Sequence, residues 1–142
     1  MLNGVQDSMD FEYVLRVLVW TCVGSLLLFI LLYVDSLFTK YKDMEEVKSG
    51  NMAVTTRMIL KLIAQGYILS VSISTSTALL EAIVVSIISF LVLLILESIV
   101  RLVLKGWVKL DLDLGTQQGK LGYGLFAGSL HIVGALIITA CL

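Results

Sequence analysis

The stretch LIAQGYILSVSISTSTALLEAIVVSIISFLVLLIL, residues 62–96, decides the fold. It carries one charged side chain, Glu81, in 35 positions. An ionised group at mid-bilayer costs at least about 2.5 kcal/mol, so a run this free of charge is what a lipid environment selects. One crossing needs only about 20 residues, so the stretch is too long for a single span and has to turn. Ser72, Ser74, Thr75, Ser76 and Thr77 mark the turn, because their hydroxyls can serve the backbone groups released there. The reading predicts a hairpin of two helices, one over about 51–75 and one over about 78–105.

Outward from this hairpin, the uncharged runs Val17–Val34 and Leu121–Leu142 supply one further span on each side. The chain thus reads as an all-α, integral membrane protein of four helices, with residues 1–142 forming a single membrane domain. Composition agrees: 58% of the residues are hydrophobic, 15% are charged, none is proline, and the mean hydropathy is +1.00. A soluble domain carries about 25% charged residues to cover its surface. Soluble enzymes, nucleic-acid binders and secreted disulfide scaffolds are therefore poor readings. Asp7, Asp10 and Glu12 precede the first apolar run where a signal peptide would carry basic residues, so the first span is expected to stay in the protein.

Nine of the ten basic residues cluster on one side of this arrangement. Lys40, Lys42, Lys48, Arg57 and Lys61 follow the first span, and Arg101, Lys105, Lys109 and Lys120 flank the connection between the third and fourth. Only Arg16 precedes the first span, and the hairpin turn has none. The positive-inside rule then assigns that side to the cytoplasm and puts both termini outside. Tyr41 and Trp107 fall near the inner boundary, and Phe11 and Tyr13 near the outer one, where amphipathic rings form interfacial belts.

The four spans read as two parallel two-helix repeats, residues 11–75 and 78–142. Asp35-Ser36-Leu37-Phe38 recurs as Glu97-Ser98-Ile99-Val100, and Gly50-Asn51-Met52-Ala53 as Gly119-Lys120-Leu121-Gly122. Such a duplication predicts a pseudo-twofold axis along the membrane normal. The second connection is longer, and Trp107–Leu114 alternates apolar with charged residues from Lys109 onward, which predicts an extended or interfacial strip turning at Gly115. With these motifs the chain resembles the YjfL-like family of bacterial inner-membrane proteins, a domain of unknown function (DUF350). The resemblance runs from Leu28 to Leu142 and implies four spans in two repeated pairs, with no activity to carry over. Lys120 stands where the family typically has asparagine, and His131 interrupts a helix that is usually apolar there.

Charged groups within spans are functional candidates because the membrane makes them expensive. Arg57 and Lys61 share a helix face at four-residue spacing, as do Glu97 and Arg101. Their depths overlap, so Lys61–Glu97 or Arg57–Glu97 pairs are expected, with Asp35 as another partner for Arg57. The alternative is that Arg57 and Lys61 snorkel to the headgroups. Glu81 lies near the outer surface as a helix cap, or as an acid at an outer mouth. His131 lies near mid-bilayer and needs a hydrogen-bond partner, for which Ser129, Thr139, Ser72 or a carbonyl are candidates. It is the only histidine, and Cys22 and Cys141 are far apart, so spacing offers no metal motif and no cofactor is expected.

Five glycines lie in or just before the last span, and Gly124-x-x-x-Gly128 permits close helix approach, either within the chain near Gly66 or in a homo-oligomer, the preferred reading. With no nucleophile–base pair and no phosphate loop, an enzyme is not expected. Two function classes remain. One is a structural or accessory membrane subunit, contacting lipid and recruiting a cytoplasmic protein partner through residues 40–50. The other is a small ion or proton channel or transporter lined by Asp35, Arg57, Lys61, Glu97 and His131.

Overall fold

A computed structural model describes residues 2–142, except the side chains of residues 2, 3 and 5–9, Asp7 among them. Six α-helices follow one another: α1 Leu2–Leu37, α2 Asp43–Lys48, α3 Met52–Thr75, α4 Leu79–Val103, α5 Leu112–Gln117 and α6 Leu121–Ala140. One π-helical turn, Leu104–Val108, extends α4. Four segments are long and apolar enough to cross a membrane: Asp10–Leu37, Met52–Thr75, Leu79–Val108 and Leu121–Ala140. The all-α, four-span reading holds.

The hairpin turns at Ser76–Ala78. Thr75 Oγ1 donates to the Val71 carbonyl at 2.9 Å, occupying an acceptor at the end of α3. Glu81 reaches back to accept from the Thr77 backbone N–H at 2.9 Å and its hydroxyl at 3.0 Å, which fixes the start of α4.

Helix α3 is central and packs against α1, α2, α4 and, most extensively, α6. Its buried stripe is Ala53, Arg57, Lys61, Ala64, Ile68 and Ser72, at spacings of three and four, while Ile59, Ile63 and Tyr67 face outward. Lipid inverts the soluble pattern, so the charges are on the inner face and large apolar groups on the outer one. Helix α6 meets this stripe through its glycines. A Cβ at Gly124 would overlap the Ala53 carbonyl, and one at Gly128 would overlap Leu60. Nothing lies within 4 Å of a Cβ placed at Gly66. The glycine face is therefore used inside the chain, which removes the argument from Gly124 and Gly128 for a homo-oligomer.

Each of α3 and α6 is entered through the same turn. Gly50 and Gly119 adopt φ of +85° and +81°, a conformation that side chains disfavour. The next amide closes back over six residues, from Asn51 to the Glu46 carbonyl at 3.0 Å and from Lys120 to the Gly115 carbonyl at 3.1 Å. The entries then differ. The Asn51 side chain accepts from the Ala53 and Val54 amides and donates to the Thr116 and Gln117 carbonyls of α5, whereas the Lys120 side chain caps nothing.

The strip Trp107–Leu114 is not extended. After the π turn, Asp111 accepts from the Leu114 amide at 3.1 Å and caps α5, and Gly115 lies inside that helix beneath the Tyr123 ring. Alternation over so few residues also fits a short helix, and the cap together with burial of Leu112 and Asp113 decides for it. Tyr41 leaves the expected aromatic belt as well: it is buried at 6% exposure, whereas Trp107, Phe11 and Tyr13 are exposed.

Four substitutions, in two pairs, test this packing by unfolding in detergent. Gly124→Ala is expected to cost about 1–3 kcal/mol through overpacking, with Gly66→Ala within about 0.5 kcal/mol of the parent. Asn51→Ala is expected to cost about 1 kcal/mol or more as a lost cap, and Lys120→Ala less.

Candidate functional site

Polar side chains from all four long helices meet in the half of the bundle nearest α2 and α5. They form two layers.

The layer next to the short helices is built around Arg57 of α3. Its Nη1 donates to Asp113 Oδ1 at 2.8 Å and to the Tyr41 hydroxyl at 2.9 Å. Arg101 of α4 approaches the same Asp113 carboxylate at 3.4 Å. Burial pushes Asp113 up, but the adjacent Arg57 and Arg101 guanidinium groups outweigh it and hold the carboxyl below its ordinary range. Burial raises the Tyr41 hydroxyl to about 12, against the opposing pull of Arg57. Asp43 at the start of α2 is raised by burial, with Lys61 and Arg57 opposing.

The second layer lies about one helical turn deeper. Lys61 Nζ forms an ion pair with Asp35 Oδ2 at 2.5 Å, and both side chains are at least nine-tenths buried. Beside them His131 of α6 lies against Glu97 of α4, each 4% exposed at the side chain. One carboxylate oxygen each from Asp35 and Glu97 and one nitrogen of His131 lie within 4.8 Å of one another. At about 1.5 Å per residue, His131 is about 15 Å along α6 from Leu121, near the middle of that span.

The expected Lys61–Glu97 and Arg57–Glu97 pairs do not form, and Asp35 does not pair with Arg57. Lys61 takes Asp35 and Arg57 takes Asp113 because α3 packs against α1 on one side and α5 on another, which depth along a helix does not reveal. Neither cation snorkels: Arg57 is 2% and Lys61 4% exposed. His131 meets none of its expected partners, since Ser72, Ser129 and Thr139 each donate to carbonyls of their own helices. Glu97 and Arg101 are on the expected α4 face but serve different layers, and Glu81 is remote at the hairpin.

A family profile described as Domain of Unknown Function (DUF350) matches residues 8–142. The chain belongs to the DUF350 family. Neither a curated protein nor a solved structure matches it significantly. In this DUF350 chain, sequence reasoning missed Asp113, Tyr41 and Asp43. Asp113 was hidden in an alternating strip, although an acid two residues before a glycine and eight before the span entry at Leu121 was a usable signal.

Outward of the second layer the buried side chains among the described residues carry no charge: packed apolar clusters alternate with buried Gln65, Ser72, Ser86, Ser89 and Thr139. Ala64 and Ile68 of α3, Leu93 of α4 and Ala135 of α6 form one packed cluster a turn or two beyond Lys61, Glu97 and His131. Leu27 and Leu31 of α1 with Phe90 do the same beyond Asp35. On the other side, a cleft of about 730 Å³ reaches Asp35 and Lys61 past Lys42, Asp43 and Tyr41. The cleft thus reaches the polar site from the α2 side, and the packed apolar clusters lie between that site and the hairpin turn.

The two loop-side acids have opposite signs in pH dependence. Asp113 has a depressed folded value, so its contribution is present above the unfolded value near 3.9 and is lost as pH falls through the folded one. Asp43 has a raised value, so its contribution is present below the unfolded value and is lost as pH rises through the folded one. Unfolding of the detergent-solubilised protein at pH 7 should show Asp113→Asn destabilised by about 3 kcal/mol or more, with Arg57 left unpaired, and Asp43→Asn unchanged or stabilised. Equal losses in both would contradict the assignment.

Proposed function

We propose that this DUF350 chain is a non-conducting accessory subunit of a bacterial cytoplasmic membrane, with both termini outside and α2 offered to a cytoplasmic protein. The observation that carries the reading is the apolar layer of Ala64, Ile68, Leu93 and Ala135 standing between the buried charges and the hairpin side. Charges paired within one chain, with an apolar layer on one side, supply no through path. The loop side carries the exposed groups Lys40, Lys42, Met44, Glu45 and Lys48, a mixed-charge surface suited to a polar protein contact. No enzymatic role is assigned, because the buried groups are engaged with one another and the cleft holds no nucleophile–base pair.

The two halves are read as a duplicated unit, on the shared turn before α3 and α6. Self-association is assigned to α1, whose Phe11, Leu15, Leu18, Leu26 and Phe29 are left uncovered by the rest of the chain.

A proton or ion carrier is the second reading, and the cleft reaching Asp35 and Lys61 is what favours it. Liposomes loaded with a pH-sensitive dye separate the two. With purified protein and an imposed potential, proton, Na⁺ and K⁺ flux is expected to equal that of empty liposomes. Flux above that background that falls in Glu97→Gln and Lys61→Met would overturn the accessory reading.

A further inference from the structure

We propose that Asp35, Glu97 and His131 form a binding site for one divalent first-row transition-metal ion of the Zn²⁺ class, entered from the cytoplasmic cleft. The inference shares the orientation of the accessory reading and is independent of its accessory role.

The donor set is one imidazole and two carboxylates from three different helices, α6, α1 and α4, all buried. Nitrogen and carboxylate oxygen ligands are what Zn²⁺ and its neighbours take, and three protein ligands leave a position for water. The second observation is a deficit of partners. His131 Nδ1 lies against Glu97 Oε1, yet the two do not meet in hydrogen-bond geometry. Both ring nitrogens of His131 and that oxygen of Glu97 are consequently buried without a hydrogen-bond partner. Groups of this kind cost free energy unless something satisfies them, and a shared cation satisfies a nitrogen and an oxygen together. Bonds of about 2.0–2.1 Å separate the ligand atoms of tetrahedral zinc by roughly 3.4 Å, a spacing that side-chain rotation reaches by parting His131 from Glu97 and drawing in Asp35 within the present 4.8 Å.

Lys61 determines how the site is gated. Its ammonium is on Asp35 Oδ2, so a cation and Lys61 compete for one carboxylate. A divalent ion held by two carboxylates and a neutral imidazole leaves a net neutral centre. The displaced ammonium then has Asp43 within the same cleft as its counter-ion. Metal entry therefore exchanges one buried ion pair for another nearer the cytoplasmic surface, at the foot of α2. The other loop-side cations, Arg57 and Arg101, stay with Asp113.

The test uses the full chain without a polyhistidine tag, in detergent, titrated with Co²⁺ alone and with Zn²⁺ alone. Expected are about one equivalent bound per chain, visible d–d absorption with Co²⁺ that Zn²⁺ abolishes, and a raised unfolding temperature with either ion. His131→Gln and Glu97→Gln should each weaken binding by about 100-fold or more, and Glu45→Gln should leave it unchanged. Lys61→Met should tighten binding by about tenfold or more, since the competing ammonium is gone; this variant decides the matter where the ligand variants fail to fold. Absence of binding in the parent, or binding unaltered in His131→Gln and Glu97→Gln, overturns the site. Unchanged or weaker affinity in Lys61→Met overturns it as well.

Discussion

Arg57 and Lys61 sit one turn apart on a helix that has to cross lipid, and the rest of the bundle is arranged around keeping them paired. In water either cation could be left exposed at little cost. In hydrocarbon each needs a carboxylate within a few ångström and a wall against lipid. Asp35 meets that need from α1 and Asp113 from α5. The close approach of α6 to α3, which Gly124 and Gly128 permit, closes the site on the third side.

The consequence is a bundle with unlike halves. Towards the hairpin turn it is a packed apolar core of Ala64, Ile68, Leu93 and Ala135 with Leu27, Leu31 and Phe90. Towards the short helices it is a charged interior in which seven side chains, Asp35, Arg57, Lys61, Glu97, Arg101, Asp113 and His131, belong to one continuous polar region. A low dielectric strengthens every pair there and penalises every unpaired group. Arg57 Nε and Ser86 Oγ each lack a partner singly, whereas Glu97 and His131 leave three unpartnered atoms side by side, and that is where the molecule offers chemistry beyond structure.

Much of the architecture was legible because the bilayer imposes it. Charge-free runs of about 20 residues, the Ser/Thr-rich turn and the glycines before α3 and α6 are local signals, and the structure uses each as a local feature. Partner choice was not legible. Depth along a helix suggested Glu97 for Lys61, but the azimuth of α1 against α3 gives Asp35 instead. The strip after Trp107 misled for a related reason. Its alternation fits a strand in isolation, and the Asp111 cap, the burial of Leu112 and the two guanidinium groups at Asp113 together make a short helix the better solution.

The sequence by itself therefore determined the solvent, the number of spans, the position of the hairpin and the helix starts, since each follows from how many consecutive residues can tolerate lipid or cap a backbone. Tertiary structure alone decided which carboxylate meets which cation, and that the glycine face of α6 is used within the chain. It also joined Asp35, Glu97 and His131, separated by 62 and 34 positions in the sequence, into one cluster. The physical reason is that lipid tolerance is a property of a segment, whereas pairing in a low dielectric depends on how separate helices rotate and pack against one another.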